Sequence, residues 1–406
     1  MKKTMKTVAI ALISMAMLAA CDNNPVEPKP NEKEDLNLNA DITTNRTLKS
    51  GNTYKLSGGV HVKNGAVLTI EPNVTIEAVD DDVVDYILIE QGAKIDAQGT
   101  ATQPIVMTSE RKEAGAWGGL HICGYAHTNA EGGTGKSEIG GASYGGNNDA
   151  DNSGTLRYVR LEYTGFAFDE EHEANGISFY GVGNGTTVDY CQAYKGGDDG
   201  YEFFGGSVNI RHMVATDCAD DSFDYTEGWN GHAQFLVAIQ NSEATAGYEM
   251  DCLMECDNNG KNFAATPIAH PIVANITLVG NNSTTNKRGI RLRAGTQIEV
   301  YNAIVTGKAN CITVETAETE NALVNGTSKL EHIAMSSELS SKEGIYTNTL
   351  FAAAIGNSTN YVNTLNNKFV GTIAGGKDLA FDNFFTQASY KGAVPADNVW
   401  TAGWTK

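Results

Sequence analysis

Basic residues are scarce in this chain. It contains 29 lysines and arginines against 49 aspartates and glutamates, which gives a formal net charge of −20 at pH 7. Nucleic acids and anionic lipid surfaces both select basic patches, so this balance argues against either as a partner. An acidic surface suits metal cations and neutral or cationic ligands instead.

Apolar runs long enough to cross a membrane are missing too. The run at residues 8–18 follows three lysines and ends in Leu18-Ala19-Ala20-Cys21. It is too short to span a bilayer, and the pattern is typical of a lipoprotein signal peptide over residues 1–21. We therefore predict a chain that Cys21 anchors to the membrane through lipid alone. Residues 22–41, rich in Asn, Pro, Lys and Glu, are predicted to form a flexible tether.

Several catalytic and metal motifs are absent from the sequence. We find no cysteine and histidine spacing typical of zinc, no G-x-S-x-G and no phosphate-binding loop. Six cysteines follow Cys21 at wide spacing, and we expect them to be buried free thiols. A bridge between Cys252 and Cys256, the only pair close in sequence, is the alternative.

Helical periodicity is rare between residue 60 and the mid-300s, where short β-branched or aromatic runs alternate with Gly, Asn and Asp turns. Similar phrases recur in this region. Residues 65–70 return as 92–97, residues 198–203 return 22 residues later as 220–225, and residues 275–280 resemble 301–307. A coil of about 20 to 27 residues fits three strands and three turns of a parallel β-helix, whereas a propeller blade needs about 40 to 45. A β-sandwich is the alternative, but it gives no reason for phrases to repeat in register.

The predicted fold is therefore all-β, a single-stranded right-handed parallel β-helix, or solenoid, over residues 42–406. Such a solenoid needs covered ends. We predict a C-terminal cap at 386–406, in which Trp400 and Trp404 cover the last coil. The stretch 313–355 departs from the coil pattern and is predicted to be a lateral insertion or short helices.

Three segments near the start, residues 65–77, 98–108 and 117–120, resemble the opening of Bacteroidetes right-handed β-helix surface lipoproteins. Residues 390–394 and 400–405 resemble their closing segment. The resemblance implies the fold over most of the mature chain and a lipid-anchored place on the outer membrane, exposed at the cell surface. It implies little about function.

The 22-residue repeat places the acidic residues of one coil next to the acidic residues of the following coil. Residues one coil apart lie roughly 4.8 Å apart, and carboxylates at that spacing repel unless a proton or a cation neutralises them. Calcium (Ca²⁺) suits such oxygen-rich sites, with Asp217 and Glu227 as further ligands. The alternative is that these side chains cap turns. The predicted metal ligands are Asp198, Asp199, Glu202, Asp220, Asp221 and Asp224.

Two further pairs are candidate ligand-binding residues. Trp229 and Asn230 lie in a Gly/Asn-rich turn and would form a sugar platform if the indole is exposed, or a lid on the core if it is not. Arg291 and Arg293 alternate onto one face and would bind a carboxylate-bearing ligand bidentately. Their alternative role is to pair with neighbouring acids.

These patterns favour a cell-surface lipoprotein that binds a ligand, with glycan preferred and Ca²⁺ as cofactor, and that does not cleave it. One alternative is an enzyme: a polysaccharide lyase with Lys195 or Arg211 as base, or a hydrolase similar to polygalacturonases, whose paired aspartates it shares but whose histidine motif it lacks. Another is a docking subunit of an outer-membrane protein assembly. The fold cannot decide among them.

The lipid anchor gives the first testable prediction. In cells fed an alkyne-tagged fatty acid, the full-length chain should take up the label, and Cys21→Ala should lose it because the acceptor thiol is gone. Cys311→Ala, which changes a cysteine predicted to lie in the core, is the control and should keep the label. Labelling of the Cys21→Ala chain at the wild-type level would contradict the prediction.

Overall fold

Short strands follow one another at the spacing that the repeats predict. The computed structural model describes residues 34–81, 83–167 and 173–406, and Leu36–Lys406 form one compact unit. Cys21, the predicted signal peptide and most of the predicted tether lie outside the described residues. None of the helices in the described part of the chain is long and apolar enough to cross a membrane.

The first fourteen strands are β1 (Asn37–Leu38), β2 (Arg46–Leu48), β3 (Thr53–Leu56), β4 (Gly59–Val62), β5 (Val67–Ile70), β6 (Thr75–Ala78), β7 (Tyr86–Ile89), β8 (Lys94–Gln98), β9 (Ile105–Ser109), β10 (Leu120–Cys123), β11 (Gly135–Lys136), β12 (Ser143–Tyr144), β13 (Gly154–Glu162) and β14 (Ile177–Tyr180). They are followed by β15 (Thr187–Tyr194), β16 (Tyr201–Phe204), β17 (Asn209–Thr216), β18 (Asp224–Thr226), β19 (His232–Ile239), β20 (Met254–Asp257), β21 (Ile272–Val279), β22 (Arg288–Arg293), β23 (Glu299–Thr306), β24 (Asn310–Val314), β25 (Lys329–Met335), β26 (Ser340–Ser341), β27 (Gly371–Ala374) and β28 (Tyr390–Val394). The helices are α1 (Glu243–Ala246), α2 (Ala317–Val324) and α3 (Asn348–Ala353), with a 3₁₀ turn at Glu131–Gly133.

Two long parallel sheets form the wall of the solenoid, which confirms the predicted parallel β-helix. Sheet A has fourteen strands and includes β13, β15, β17, β19, β21, β23 and β25 in that order. Sheet B has ten, from β4 through β16, β18 and β20 to β26. The predicted repeats pair in register, with Leu68 opposite Ile95 and Phe203 opposite Tyr225. Alternate residues of each strand point inward and form one core that runs along the solenoid.

The long strands of sheet A are each bent near the middle. The first half of β13 pairs with β8 and its second half with β9, and Tyr158 lies at the junction with a positive φ of 50°. Two of the three strands that each coil is predicted to have are therefore joined from β13 onward into one bent strand. We call the residues at the bend the bend ladder. Its members all have φ between 49° and 61°: Tyr158, Tyr190, His212, Phe235, Asn275, Asn302 and His332.

Stacking accompanies the strained backbone of the bend ladder. Residues with β-branched or bulky side chains disfavour a positive φ, whereas asparagine tolerates it. The four ring-bearing members at the start of the ladder stack in sequence, with centroid distances of 4.4 Å from Tyr158 to Tyr190, 4.2 Å from Tyr190 to His212 and 4.9 Å from His212 to Phe235. The stacked rings offset part of the cost of the bend.

The C-terminal residues lie along the side of the solenoid and do not close its end. We call residues 366–406 the C-terminal strap. Asn275 Nδ2 donates to Tyr390 O at 2.7 Å, and the Trp400 and Trp404 rings lie 5.0 Å from His212 and 6.1 Å from Tyr190. The predicted cap at 386–406 is therefore wrong, because these tryptophans cover the bend ladder of central coils. Phe351 of α3, which is fully buried in the core cluster, lies at the last coil instead.

Two further features of the domain organisation differ from the prediction. The solenoid begins at β1, where Leu38 is fully buried, so the tether cannot extend to residue 41. Within 313–355, β25 extends sheet A and β26 extends sheet B. This segment is therefore the last coil with two short helices, not a lateral insertion. All six cysteines of the described residues are free and buried, as predicted.

The strap gives the second testable prediction. Trp404→Ala should lower the free energy of unfolding by about 3 to 5 kcal/mol, because its ring is fully buried. In a double-mutant cycle with Tyr190→Ala the two changes should be non-additive by at least roughly 0.5 kcal/mol in chemical denaturation, since the rings touch. Phe351→Ala, in helix α3 at the last coil, should be additive with Trp404→Ala because the two side chains are far apart. Additivity with Tyr190→Ala would contradict the strap.

Candidate functional site

The acidic residues of the 22-residue repeat lie together on sheet B. Glu202 of β16 is paired with Asp224 of β18, as predicted. The two aspartate pairs occupy the turns that precede these strands. We call the six residues the acid cluster: Asp198, Asp199, Glu202, Asp220, Asp221 and Asp224.

Aromatic rings pack on the inner side of the same two strands. Tyr201 stacks on Phe223 at 5.3 Å, as the repeat predicts. Phe203 does not stack on Tyr225, because Trp229 inserts beside it at 4.4 Å. The carboxylates alternate with these rings and lie on the outer side of the strands. The core therefore fixes the backbone from which the acids project.

Oxygen atoms of the acid cluster come close enough to share a cation. Carboxylate oxygens of Asp198, Asp199 and Asp220 lie within 4.8 Å of one another, and so do those of Asp199, Glu202 and Asp224. The two groups share Asp199, so they adjoin each other at this carboxylate. This arrangement is compatible with the six to eight oxygen ligands, waters included, that Ca²⁺ takes.

Burial and mutual repulsion disfavour negative charge in the acid cluster. Asp199 is only 6% exposed. Burial, followed by the neighbouring carboxylates, raises the pKa of Asp198 to about 8, and burial, followed by Asp251, raises that of Asp220 to about 6. The pKa values of Asp199, Glu202, Asp221 and Asp224 are raised well above their ordinary range for the same reasons, with burial first. No member pairs with a lysine or arginine among the described residues.

Two members of the acid cluster also cap turns. Asp199 Oδ1 accepts the backbone N–H of Asp221 at 2.8 Å, and Asp221 Oδ1 accepts that of Cys252 at 2.6 Å. The turn-cap alternative thus holds for one oxygen of each. Because a carboxylate has two oxygens, capping and cation binding are compatible here.

Two buried oxygens of β18 and of the turn before it make no hydrogen bond within the described residues. They are Asp224 Oδ1 and the hydroxyl of Ser222, whose residue is fully buried. Strand alternation places both on the side opposite to Phe223 and Tyr225. A buried polar atom without a partner costs about 1 to 3 kcal/mol, and a cation bound among the carboxylates would remove much of that cost.

The two arginines do not form a free anion-binding pair, so the predicted ligand-binding role is corrected. Arg291 lies 2.7 Å from Glu255 and 3.2 Å from Glu315. Arg293 lies 2.8 Å from both Glu255 and Asp257. Each guanidinium is thus shared between two carboxylates that are at least half-buried, which is the ladder-partner alternative.

The predicted sugar platform is wrong as well. Trp229 is 3% exposed and its indole N–H donates to Val208 O at 3.2 Å. Gly231 permits this inward turn, since a Cβ there would lie 2.7 Å from the indole nitrogen. Asn230 is half-buried and donates its backbone N–H to Gly206 O. The lid-on-the-core alternative therefore describes Trp229.

The two further ligands predicted for the cation lie elsewhere. Asp217 accepts the backbone N–H and the side-chain amide of Asn241 at 2.6 and 2.8 Å. Glu227 Oε2 accepts hydroxyl groups of Thr128 and Tyr144 at 2.6 and 2.8 Å. Neither carboxylate belongs to a group that could share a cation among the described residues.

Sequence reasoning missed the next coil of this face. Glu255 is paired with Asp224, and Asp251 lies close to Asp221 and Cys252. The offset from Asp224 to Glu255 is 31 residues, so a search for 22-residue spacing passes over it. The alternation in Met254-Glu255-Cys256-Asp257, which places acids two apart, is the signal that could have found it.

A polar cleft of about 650 Å³ opens beyond the carboxyl end of β18. Thr226 and Glu227 lie on one side of it, and residues 129–131 and 259–262 complete its walls. Phe263, which follows directly, is 38% exposed. The sequence analysis did not single out these residues, because they come from loops far apart in the chain.

Comparison with known proteins gives one match. The family model of the pectate-lyase-like β-helix domain matches residues 40–405. No curated protein and no solved structure matches the chain. The match covers both sheets and the strap, and therefore also the acid cluster and the cleft.

The raised pKa values give the third testable prediction. In the presence of EDTA, the Asp198→Asn/Asp220→Asn double variant should be more stable than the wild type, by a margin that grows from pH 4 to pH 8. The wild-type carboxyls bind protons more tightly in the folded than in the unfolded protein. The free energy of unfolding that this contributes is fully present below pH 4, and it is lost as the pH rises through about 6 for Asp220 and about 8 for Asp198.

Thermal unfolding across that pH range measures the margin. Asp397→Asn, which removes the same charge from an exposed position, is the control and should show no growing margin. A double variant that becomes less stable than the wild type as the pH rises would show that the cluster is not a site of uncompensated charge.

Proposed function

Because this chain belongs to the pectate-lyase-like β-helix domain family, we propose that it is a lipid-anchored surface protein that binds glycan with the help of Ca²⁺ and does not cleave it. The family is named after pectate lyases, which act on carbohydrate, and its parallel sheets present a long, regular face. The lipobox at Cys21 and the resemblance to outer-membrane lipoproteins support a place on the outer membrane. The net charge of −20 supports a ligand other than nucleic acid.

The observation that carries the calcium part is a pair of adjoining three-carboxylate groups without a basic ion-pair partner among the described residues. Within each group the carboxylate oxygens lie within 4.8 Å of one another, and Asp199 belongs to both groups. The unpartnered Asp224 Oδ1 lies in the second group. A divalent cation would neutralise the repulsion and fix β18, whose next residues line the cleft.

The basic groups near the cluster favour binding over β-elimination. A lyase needs a free lysine or arginine as base beside the cation. Arg291 and Arg293 are each held between two carboxylates. Arg211 stacks on Phe384 of the C-terminal strap, at 4.2 Å from its ring, and Lys195 lies over the Tyr194 ring. Of the two residues that the lyase alternative names, Arg211 is therefore engaged by the strap, and Lys195 makes a longer contact of 5.6 Å with the ring of its neighbour.

A hydrolase is the second candidate, and one observation favours it. The pKa of Asp198 is raised to about 8 by burial and neighbouring carboxylates, so this group keeps its proton at neutral pH without a cation. A protonated carboxyl beside an ionised one is what a glycoside hydrolase uses as general acid and base. Release of reducing ends from the glycan would distinguish this candidate.

The fourth testable prediction concerns the cation. Purified protein stripped of metal should show a higher unfolding midpoint as Ca²⁺ is added, because a ligand that binds only the folded state stabilises it by RT ln(1 + [Ca²⁺]/Kd). Asp199→Asn/Asp224→Asn should abolish the rise, and Asp397→Asn should retain it. A panel of polygalacturonate and neutral hexasaccharides, titrated calorimetrically with Ca²⁺, should give binding without products.

Each outcome bears on a different part of the proposal. A Ca²⁺ response that survives in the cluster variant would contradict the cation site. Reducing ends in the panel would replace the binding module by the hydrolase. A wild-type protein that binds no glycan would favour a docking subunit of an outer-membrane assembly.

A further inference from the structure

The polar cleft beyond β18 is separate from the acid cluster and has a chemistry of its own. We propose that it binds a neutral hexose residue of the glycan, an inference that rests on the proposed function and extends it. Its volume, about 650 Å³, lies within the range of small-molecule sites. It has room for at least one pyranose ring.

The cleft offers donors and acceptors together. Lys261 and Asn262 supply N–H donors, and no ion pair involves the Lys261 ammonium in the described part of the chain. Glu131 and Glu227 supply carboxylate oxygens. A sugar hydroxyl both donates and accepts a hydrogen bond, so a wall that mixes the two types matches neighbouring hydroxyl groups of a ring.

An exposed aromatic residue follows the cleft loop in sequence. Phe263 comes directly after Asn262 and is 38% exposed. An aromatic face offers the apolar side of a pyranose a surface on which to lie. In this proposal Phe263 takes the role that the sequence analysis gave to Trp229.

Buried hydrogen bonds hold the walls of the cleft in place. Asn129 is buried, donates to Asn258 Oδ1 at 2.9 Å and Pro267 O at 3.0 Å, and accepts from Asn259 Nδ2 at 3.0 Å. Asn258 in turn donates to Phe263 O at 3.1 Å. The loop that carries Lys261 and Asn262 is therefore fixed to the opposite wall, which lowers the entropy lost on binding.

The backbone conformation and two hydrogen bonds fix the position of Glu227. Its φ is +52°, a conformation that costs free energy for a residue other than glycine. Thr128 and Tyr144 donate to its Oε2, so the carboxylate has one defined position on the wall. This geometry suits a group that must meet a ligand hydroxyl at one place.

The charges of the cleft favour a neutral sugar over a uronate. Two acidic residues, Glu131 and Glu227, and one lysine, Lys261, line the cleft, so acidic groups outnumber basic ones there. Asp224 of the acid cluster lies on β18, two residues before Thr226. A sugar carboxylate would be repelled, whereas hydroxyl groups would not.

The test uses the full folded protein and three hexasaccharides of neutral hexoses as separate probes: cellohexaose, mannohexaose and maltohexaose. We expect at least one to bind the wild type in calorimetry. Phe263→Ala and Glu131→Gln should each weaken that association by roughly tenfold or more, because each removes one contact of the ring. Glu131→Gln should keep the wild-type unfolding midpoint, and both variants should keep the Ca²⁺ response.

The control is Phe381→Ala, which removes another exposed aromatic, 51% exposed and in the C-terminal strap, and should bind as the wild type does. Wild-type affinity in both cleft variants would overturn the cleft while leaving glycan binding elsewhere on the solenoid intact. A wild type that binds none of the three sugars would overturn the cleft, and binding of polygalacturonate alone would leave only the proposed function standing.

Discussion

The stacking of each coil on the next at the strand spacing is the constraint on which the rest of the structure depends. A residue in one coil lies roughly 4.8 Å from the residue at the same position of the next coil. A favourable or unfavourable contact between like side chains is therefore repeated along the solenoid. Like on like stabilises where the side chains are aromatic, as in the contact of Tyr201 with Phe223. It destabilises where they are acidic, as in the pairing of Glu202 with Asp224. The same 22-residue repeat produces both effects on opposite sides of two strands.

The second consequence of stacking lies on the other sheet. The bend ladder places strained residues above one another, and the rings from Tyr158 to Phe235 then form a continuous apolar strip. An apolar strip on the outside of a solenoid must be covered, and Trp400 and Trp404 do so. The strap is therefore explained by the bend. The C-terminal residues thus lie on sheet A, whereas the acid cluster lies on sheet B.

The sequence was sufficient for the architecture and for part of the site. Repeats at 22 and 27 residues predict the register because the pairing of strands converts a constant offset into a contact, and Glu202 does meet Asp224. It was insufficient where one coil has a different length, which hid Glu255. It also failed for Trp229, because a turn rich in glycine permits an indole to face either way, and only its contact with Phe203 decides. The cleft depends on Asn129, about 130 residues from its partners, and no local pattern reveals such a contact.

The account depends on a cation among the carboxylates of the acid cluster. The most direct measurement is the electron density of crystals grown with Ca²⁺. We expect one ion about 2.3 to 2.6 Å from oxygens of Asp199 and of at least one further member of each group. Carboxyl oxygens joined by short hydrogen bonds, with no ion between them in saturating Ca²⁺ at pH 8, would show that protons neutralise the cluster and would contradict the account.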